Sequence, residues 1–270
     1  GRGPVTVEMD GGSYRLGGPL VFTAADRGLR LVAKRGAQTV LSGGRVLPAP
    51  TQAAGGRWSV VLPWTKAQPF RQLFVNGRRY TRARTPNAQD PWFWQLSKSG
   101  ATVEQGAGRF EYAAGALATA ADLNEAELVF IRLWDLSRFR ITALDEAKRL
   151  VSFAVPEGLK GVTHWGPKKP WYAEGSLSFL DAPGEWHLSA DGVLTILPLP
   201  GEDLSRAELV APVLQHLVNL EGRPGAPVRG LSFEGLSFLH ADWAPPAEGY
   251  AGPQADLGIG GAIEGEYVED

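Results

Sequence analysis

The residues best suited to chemistry stand together in His240-Ala241-Asp242-Trp243. An imidazole and a carboxylate supply two hydrogen-bonding heads, and an indole supplies a flat apolar face. That combination suits a ligand with polar edges and apolar faces, as a sugar ring has. The tetrapeptide follows the apolar run Leu236–Leu239, where a strand gives way to a loop, and functional side chains favour loops carried on rigid scaffolds. The competing reading is a corner in which Trp243 packs and His240 bonds to backbone. Asp242 is the best candidate for a catalytic carboxylate. The later acids Asp256, Glu264, Glu266, Glu269 and Asp270 form no pair by spacing and read as solvated. Trp92 and Trp94 are a second candidate pair for stacking on a ligand. Trp165, Trp171 and Tyr172 are a third aromatic group, with Lys168 and Lys169 beside it for an acidic ligand. The alternative for all of these aromatics is packing beneath their own loops.

Other chemistries are excluded or unsupported. The chain has no cysteine, which removes disulfides, zinc–thiolate sites and thiol catalysis. His164, His187, His216 and His240 show no ligand spacing, so neither a metal nor another cofactor is expected. No G-x-S-x-G elbow is present. Gly258-Ile259-Gly260-Gly261 follows no βαβ unit and does not read as a phosphate loop. The net charge of -2, without a long basic block, argues against a nucleic-acid partner. Arg78, Arg79, Arg82 and Arg84 alternate along a strand and read as a solvated face. No apolar run is long enough for a transmembrane helix. No signal peptide is visible, and a start at Gly1 without Met reads as a mature or truncated product.

The elements that must hold these residues are strands. Glycine (34) and proline (20) make up a fifth of the 270 residues, and there are nine tryptophans, a composition for turn-rich β structure. Between 5 and 47, short apolar runs are cut by turns every eight to twelve residues. Asn76-Gly77 between strand-formers predicts a hairpin, because both residues tolerate positive φ. Three consecutive strands are predicted over 126–134, 138–144 and 149–154. Asp191-Gly192 predicts another hairpin, and one short helix is expected over 113–122. From Ala207 to Trp243, strand-length runs recur about every ten residues with no helical pattern between them. VRGLSFEGLSF reads as strand, one-residue corner, strand, with Gly235 at the bend. Repetition of that kind points to solenoid rungs. The pattern therefore predicts an all-β chain in three parts: first solenoid strands over 1–47, an inserted antiparallel β-sandwich-like module over 48–205, and resumed rungs over 206–270.

Six phrases in order carry a family likeness: GGSYRLGGPLVF, LSGG, QPFRQLFVNGRRYTRARTPN, EWHLSADGVLTILPLPGEDL, AELVAPVLQHLVNLEG and PVRGLSFEGLSFLHADW. Together they resemble the N-terminal part of bacterial right-handed parallel β-helix proteins related to glycoside hydrolase family 141. The resemblance implies a right-handed parallel β-helix interrupted by a β-sandwich module. It also implies a secreted or periplasmic enzyme acting on complex polysaccharides, with fucosidase or xylanase activity. Glycoside hydrolysis uses two carboxyl groups at fixed separation, and the resemblance implies that they lie in further rungs beyond Asp270. A polysaccharide lyase and a non-catalytic glycan-binding or surface module are the alternatives, since one fold hosts many functions. The lyase would call for calcium, acidic ligands and a basic residue in a long groove, a cluster the sequence does not display.

Overall fold

The computed structural model describes residues 4–87, 95–96, 102–104, 107–114, 116–117, 122–131, 136–154, 170–246, 249–251 and 259–269. The described residues form strands and short 3-10 turns, without an α-helix. The helix expected over 113–122 is absent where that stretch is described.

Three small parallel sheets receive the two ends of the chain. The first joins Val5–Met9, Leu29–Ala33 and Ser232–Glu234; the second, Gly12–Arg15, Thr39–Ser42 and Leu236–Leu239; the third, Leu20–Thr23, Val218–Glu221 and Ile263–Glu266. The chain visits them in the same cyclic order on each pass. Every pairing is in step, as Leu20↔Val218 and Leu29↔Val5 illustrate. Residues of like kind therefore stack from one strand to the next. Phe22, Leu31 and Val218 are buried between the sheets, with Met9, Leu220, Phe233 and Phe238 packed against them. Phe233 meets Phe22 edge-on at 5.8 Å and Phe238 at 5.6 Å, the arrangement that aromatic quadrupoles prefer. Gly235 makes the one-residue corner at φ 71°, and a Cβ there would lie 3.2 Å from the Ala33 Cβ.

The second circuit is interrupted between Ser42 and Val218. There the chain builds two larger, mostly antiparallel sheets. One runs in the order Gly44–Val46, Leu209–Pro212, Leu73–Val75, Arg78–Arg82, Glu185–Leu188, Val193–Leu197, Trp58–Val61, Thr51–Gln52. Its core holds Leu62, Phe70, Leu73, Val75, Trp186, Leu194 and Leu209. The other centres on Pro170–Glu174, Glu127–Ile131, Leu136–Asp145, Leu150–Ala154 and Ala107–Glu111, around Phe110, Phe130, Phe139, Phe153 and Trp171. The predicted hairpins form: Asn76 and Gly77 take φ 49° and 77°, and Gly192 takes 83°. The three consecutive strands also form, antiparallel and in sequence order.

Two strands lie on the other side of the boundaries the sequence suggests. Gly44–Val46 and Leu209–Pro212, read as solenoid, pair with each other, and Leu209–Pro212 continues onto Leu73–Val75. Short apolar runs have one appearance in either kind of sheet, so periodicity could not assign them. Late in the chain, Tyr250–Ala251 adds to Leu136–Asp145, joining the C-terminal stretch to the inserted sheets.

Candidate functional site

His240 sits where the inserted sheets meet the parallel ones. It follows the strand Leu236–Leu239 in the left-handed conformation, φ 61°. Its Nδ1 lies 2.8 Å from the Ser42 hydroxyl, and Phe74 meets the ring edge-on at 4.7 Å. Gly44 permits this approach: a Cβ there would come within 2.3 Å of Val210 Cγ1 and 3.1 Å of His240 Cβ. Burial pushes the imidazole pKa down, keeping the ring neutral at neutral pH. The corner weighed from the sequence has His240 bonding to backbone; here its ring nitrogen meets a side-chain hydroxyl instead.

Asp242 lies two residues on, its N–H donating to Leu214 O at 2.8 Å. Its Oδ1 is buried with no hydrogen-bond partner. Burial pushes its pKa up, against the opposing pull of the Trp243 N–H, Arg71 and Gln72. An upward shift is the direction a proton-donating carboxyl needs. Trp243 is half-buried, with the Tyr250 ring edge-on at 5.0 Å. Trp92 and Trp94 lie outside the described residues, as do Trp165, Lys168, Lys169, Asp256 and Asp270. Trp171 is fully buried in the larger core and Tyr172 nearly so, so they do not form the stacking surface considered from sequence. A strand covered on both faces buries whatever its alternation presents.

Directly after Trp243, Ala244, Pro245 and Pro246 form one wall of a cleft of ≈ 480 Å³. Its polar lining includes Thr65, Lys66, Arg71, Arg82, Glu125, Glu127, Arg140 and Ser189, with Phe70 among the apolar residues. Beneath it lies a buried network of three arginines and two glutamates. Arg71 grips Glu127 through both nitrogens, one at 2.9 Å. Arg82 lies 3.3 Å from Glu174 and 3.4 Å from Glu127. Arg138 is bonded to Glu174 and lies 3.8 Å from Glu127. Burial pushes the Glu174 carboxyl up, but Arg138, Arg82 and Arg71 outweigh it and hold the pKa at about 2. Glu127 is likewise pulled down: burial raises it, and Arg71 leads the opposing effect. Burial and the neighbouring Arg71 charge lower Arg82.

Sequence reasoning missed this network. Arg82, read as solvated, is buried in it, whereas Arg78 and Arg79 are exposed as expected. The available signal was the set of isolated charges inside apolar strands: Glu127 before Leu-Val-Phe, Arg138 and Arg140 flanking Phe139, and Glu174 after Trp-Tyr-Ala. A second cleft, of ≈ 470 Å³, runs along Val218–Glu221 and Ile263–Glu266. There Glu221 stands beside Glu266 in the parallel register, a proximity that linear spacing did not reveal. Glu264, Glu266 and Glu269 are exposed.

A family model, the GH141 insertion domain, matches residues 55–194. The chain belongs to the GH141 insertion-domain family. Two solved structures are similar. One, titled "Glycoside hydrolase", is 23% identical with a TM-score of 0.75, over 93% of this chain and 45% of that one. The other, "The complex structure of XylC with xylose", is 12% identical with a TM-score of 0.35, over 89% of this chain and 31% of that one, too loose to bear on the fold. The chain thus spans under half the length of the first structure. No curated protein matches the sequence. The insertion domain takes in the Arg71–Glu127–Glu174 network and most of the cleft, while Ala244, Pro245 and Pro246 reach the cleft from outside the matched range.

Proposed function

We propose that this chain is part of an exported, bacterial carbohydrate-active enzyme of the glycoside hydrolase type, with fucosidase- or xylanase-like action on complex polysaccharides. The observation that carries the reading is the GH141 insertion domain over 55–194, set into a chain whose fold aligns with a glycoside hydrolase along almost its whole length. In this reading the three parallel sheets are rungs of a right-handed parallel β-helix. The parts are solenoid over 1–47 and 206–270 and sandwich-like module over 48–205, with the module's sheet extended by Gly44–Val46 and Leu209–Pro212.

The substrate lies in the cleft beside Pro245 and Pro246. Trp243 supplies a stacking face, and Asp242 supplies the proton-donating carboxyl, which burial favours. His240 positions both by fixing the corner before them, and Trp92 and Trp94 are the other candidate substrate-binding residues. Hydrolysis needs a second carboxylate at fixed distance from the first, and we place it in the portion of such an enzyme outside these 270 residues. Calorimetric titration with fucosylated and xylan oligosaccharides tests the reading. Binding that weakens in Trp243→Ala and Asp242→Asn, in proteins that melt like the parent, supports it. No binding of either class by the folded parent removes it. Binding that never leads to turnover in the longer protein would favour a glycan-binding module.

A further inference from the structure

A second constellation lies at the wall of the cleft and shares Glu125 with its lining. Asp122 precedes, and Glu125 ends, one 3-10 turn, Leu123–Glu125. Residues three apart on such a turn project on the same side. That side faces His187 in the middle of the strand Glu185–Leu188. The His187 side chain is only 3% exposed, and its Nε2 lies 3.3 Å from Glu125 Oε2 and 3.9 Å from Asp122 Oδ2. His187 Nε2 and Glu125 Oε2 face each other without a well-aligned hydrogen bond, and both are buried. Buried polar atoms are nearly always partnered, and two facing orphans call for an explanation.

We propose that Asp122, Glu125 and His187 bind one divalent transition-metal ion, zinc by preference. The three ligand atoms all lie within 4.8 Å of one another. Two ligands each ~2.1 Å from a tetrahedral zinc are about 3.4 Å apart, against 3.3 and 3.9 Å from His187 to the two carboxylates. The far sides of the carboxylates are already fastened. Glu125 Oε1 accepts the Ala190 N–H at 3.2 Å, and Asp122 Oδ1 accepts the Ser176 hydroxyl at 2.6 Å. Contacts of that kind orient metal ligands. Asp122 Oδ2 also accepts the Leu177 N–H, and a carboxylate oxygen has a further lone pair for a cation. One imidazole and two carboxylates suit zinc, whereas calcium takes six to eight oxygens. The ion would fasten the 122–125 turn to the Glu185–Leu188 strand and so brace the wall that Glu125 forms.

The test uses the whole 270-residue chain, stripped with a chelator and titrated calorimetrically with zinc chloride. Thermal melts and the visible spectrum of the cobalt(II)-loaded protein accompany it. The expected result is one zinc per chain, a higher melting temperature when loaded, and cobalt bands of a four-coordinate site. Glu125→Gln and, separately, His187→Gln should each weaken zinc binding at least 100-fold. Should His187→Gln fail to fold, Glu125→Gln carries the test, because its partly exposed carboxylate is the less structural of the two. His216→Ala removes the imidazole 3.5 Å from Glu264 and should leave zinc binding intact. No stoichiometric zinc binding, preference for calcium, or undiminished binding by folded Glu125→Gln would each overturn the proposal. A plain His187–Glu125 hydrogen bond would give the first of these.

Discussion

Glu174 gives the sharpest quantitative test of the buried network. It is 7% exposed and ion-paired to Arg138, Arg82 and Arg71. Its pKa moves from an ordinary 4.5 down to about 2. A folded-state pKa below the unfolded one means that the stabilisation is present above pH 4.5 and is lost as pH falls toward 2. The full shift corresponds to about 3 kcal/mol at neutral pH, at about 1.36 kcal/mol per pH unit. At pH 3, about 2 kcal/mol of that is gone. Glu174→Gln keeps the shape but leaves three arginines facing Glu127 alone. Breaking a buried ion pair from one side costs about 3–5 kcal/mol, in line with the linkage figure. A change of that size lowers the melting temperature by roughly 6–20 °C at about 2–4 °C per kcal/mol. Thermal or urea melts of parent and variant at pH 6.5 and pH 3 measure the gap, which should shrink by about 2 kcal/mol at the lower pH. A gap that stays constant between the two pH values would show that Glu174 is not the ionised centre of the network, and the reasoning would fail.

Glu185 should behave in the opposite sense. Burial raises its pKa to about 7, and backbone N–H donors from Asp181, Ala182 and Arg84 at 3.2–3.3 Å are too long to reverse that. Between pH 4.5 and 7 the folded state holds a proton that the unfolded state has lost, so stability falls by up to about 3 kcal/mol as pH rises through that window; Glu185→Gln should flatten this part of a melting-temperature profile. Gly44→Ala would press a methyl into Val210 at 2.3 Å and against His240, a loss of about 1–3 kcal/mol readable in chemical denaturation. Trp243→Ala should weaken oligosaccharide binding by roughly 1–3 kcal/mol, on the scale of aromatic stacking against planar ligands, with the melt unchanged. A fall in stability of about 3–5 kcal/mol instead, as for a core aromatic, would assign Trp243 to packing.

Much of the strand pattern was legible because turn chemistry is local. Asn76-Gly77, Asp191-Gly192 and Gly235 each require positive φ and mark the turns where they stand. The cyclic return of the chain to the same three sheets was legible through recurrence. Membership of Gly44–Val46 and Leu209–Pro212 was not, since three or four apolar residues fit either sheet. Of the candidate site, one segment could be proposed from the sequence. His240, Asp242 and Trp243 are neighbours in sequence, so their proximity needed no tertiary information. Arg71, Glu127 and Glu174 converge from separate strands, and each alone resembles an ordinary surface charge. His187 shows the same limit. Its candidate co-ligands lie more than sixty positions away, so the absence of ligand spacing around it said nothing about what the fold brings to it.

The pairing of Tyr250–Ala251 with Leu136–Asp145 bears on how the molecule is made. The edge at Ser137 and Arg138 is filled by a segment synthesised more than a hundred residues later. The Leu73–Val75 edge likewise waits for Leu209–Pro212. Until then the nascent insertion presents two open hydrogen-bonding edges, each a template for a second copy, and non-local closures of this kind slow folding. A protein cut to the family-matched residues 55–194 would keep both edges open permanently. It should dimerise or precipitate under conditions where the full chain stays monomeric, as light scattering would show.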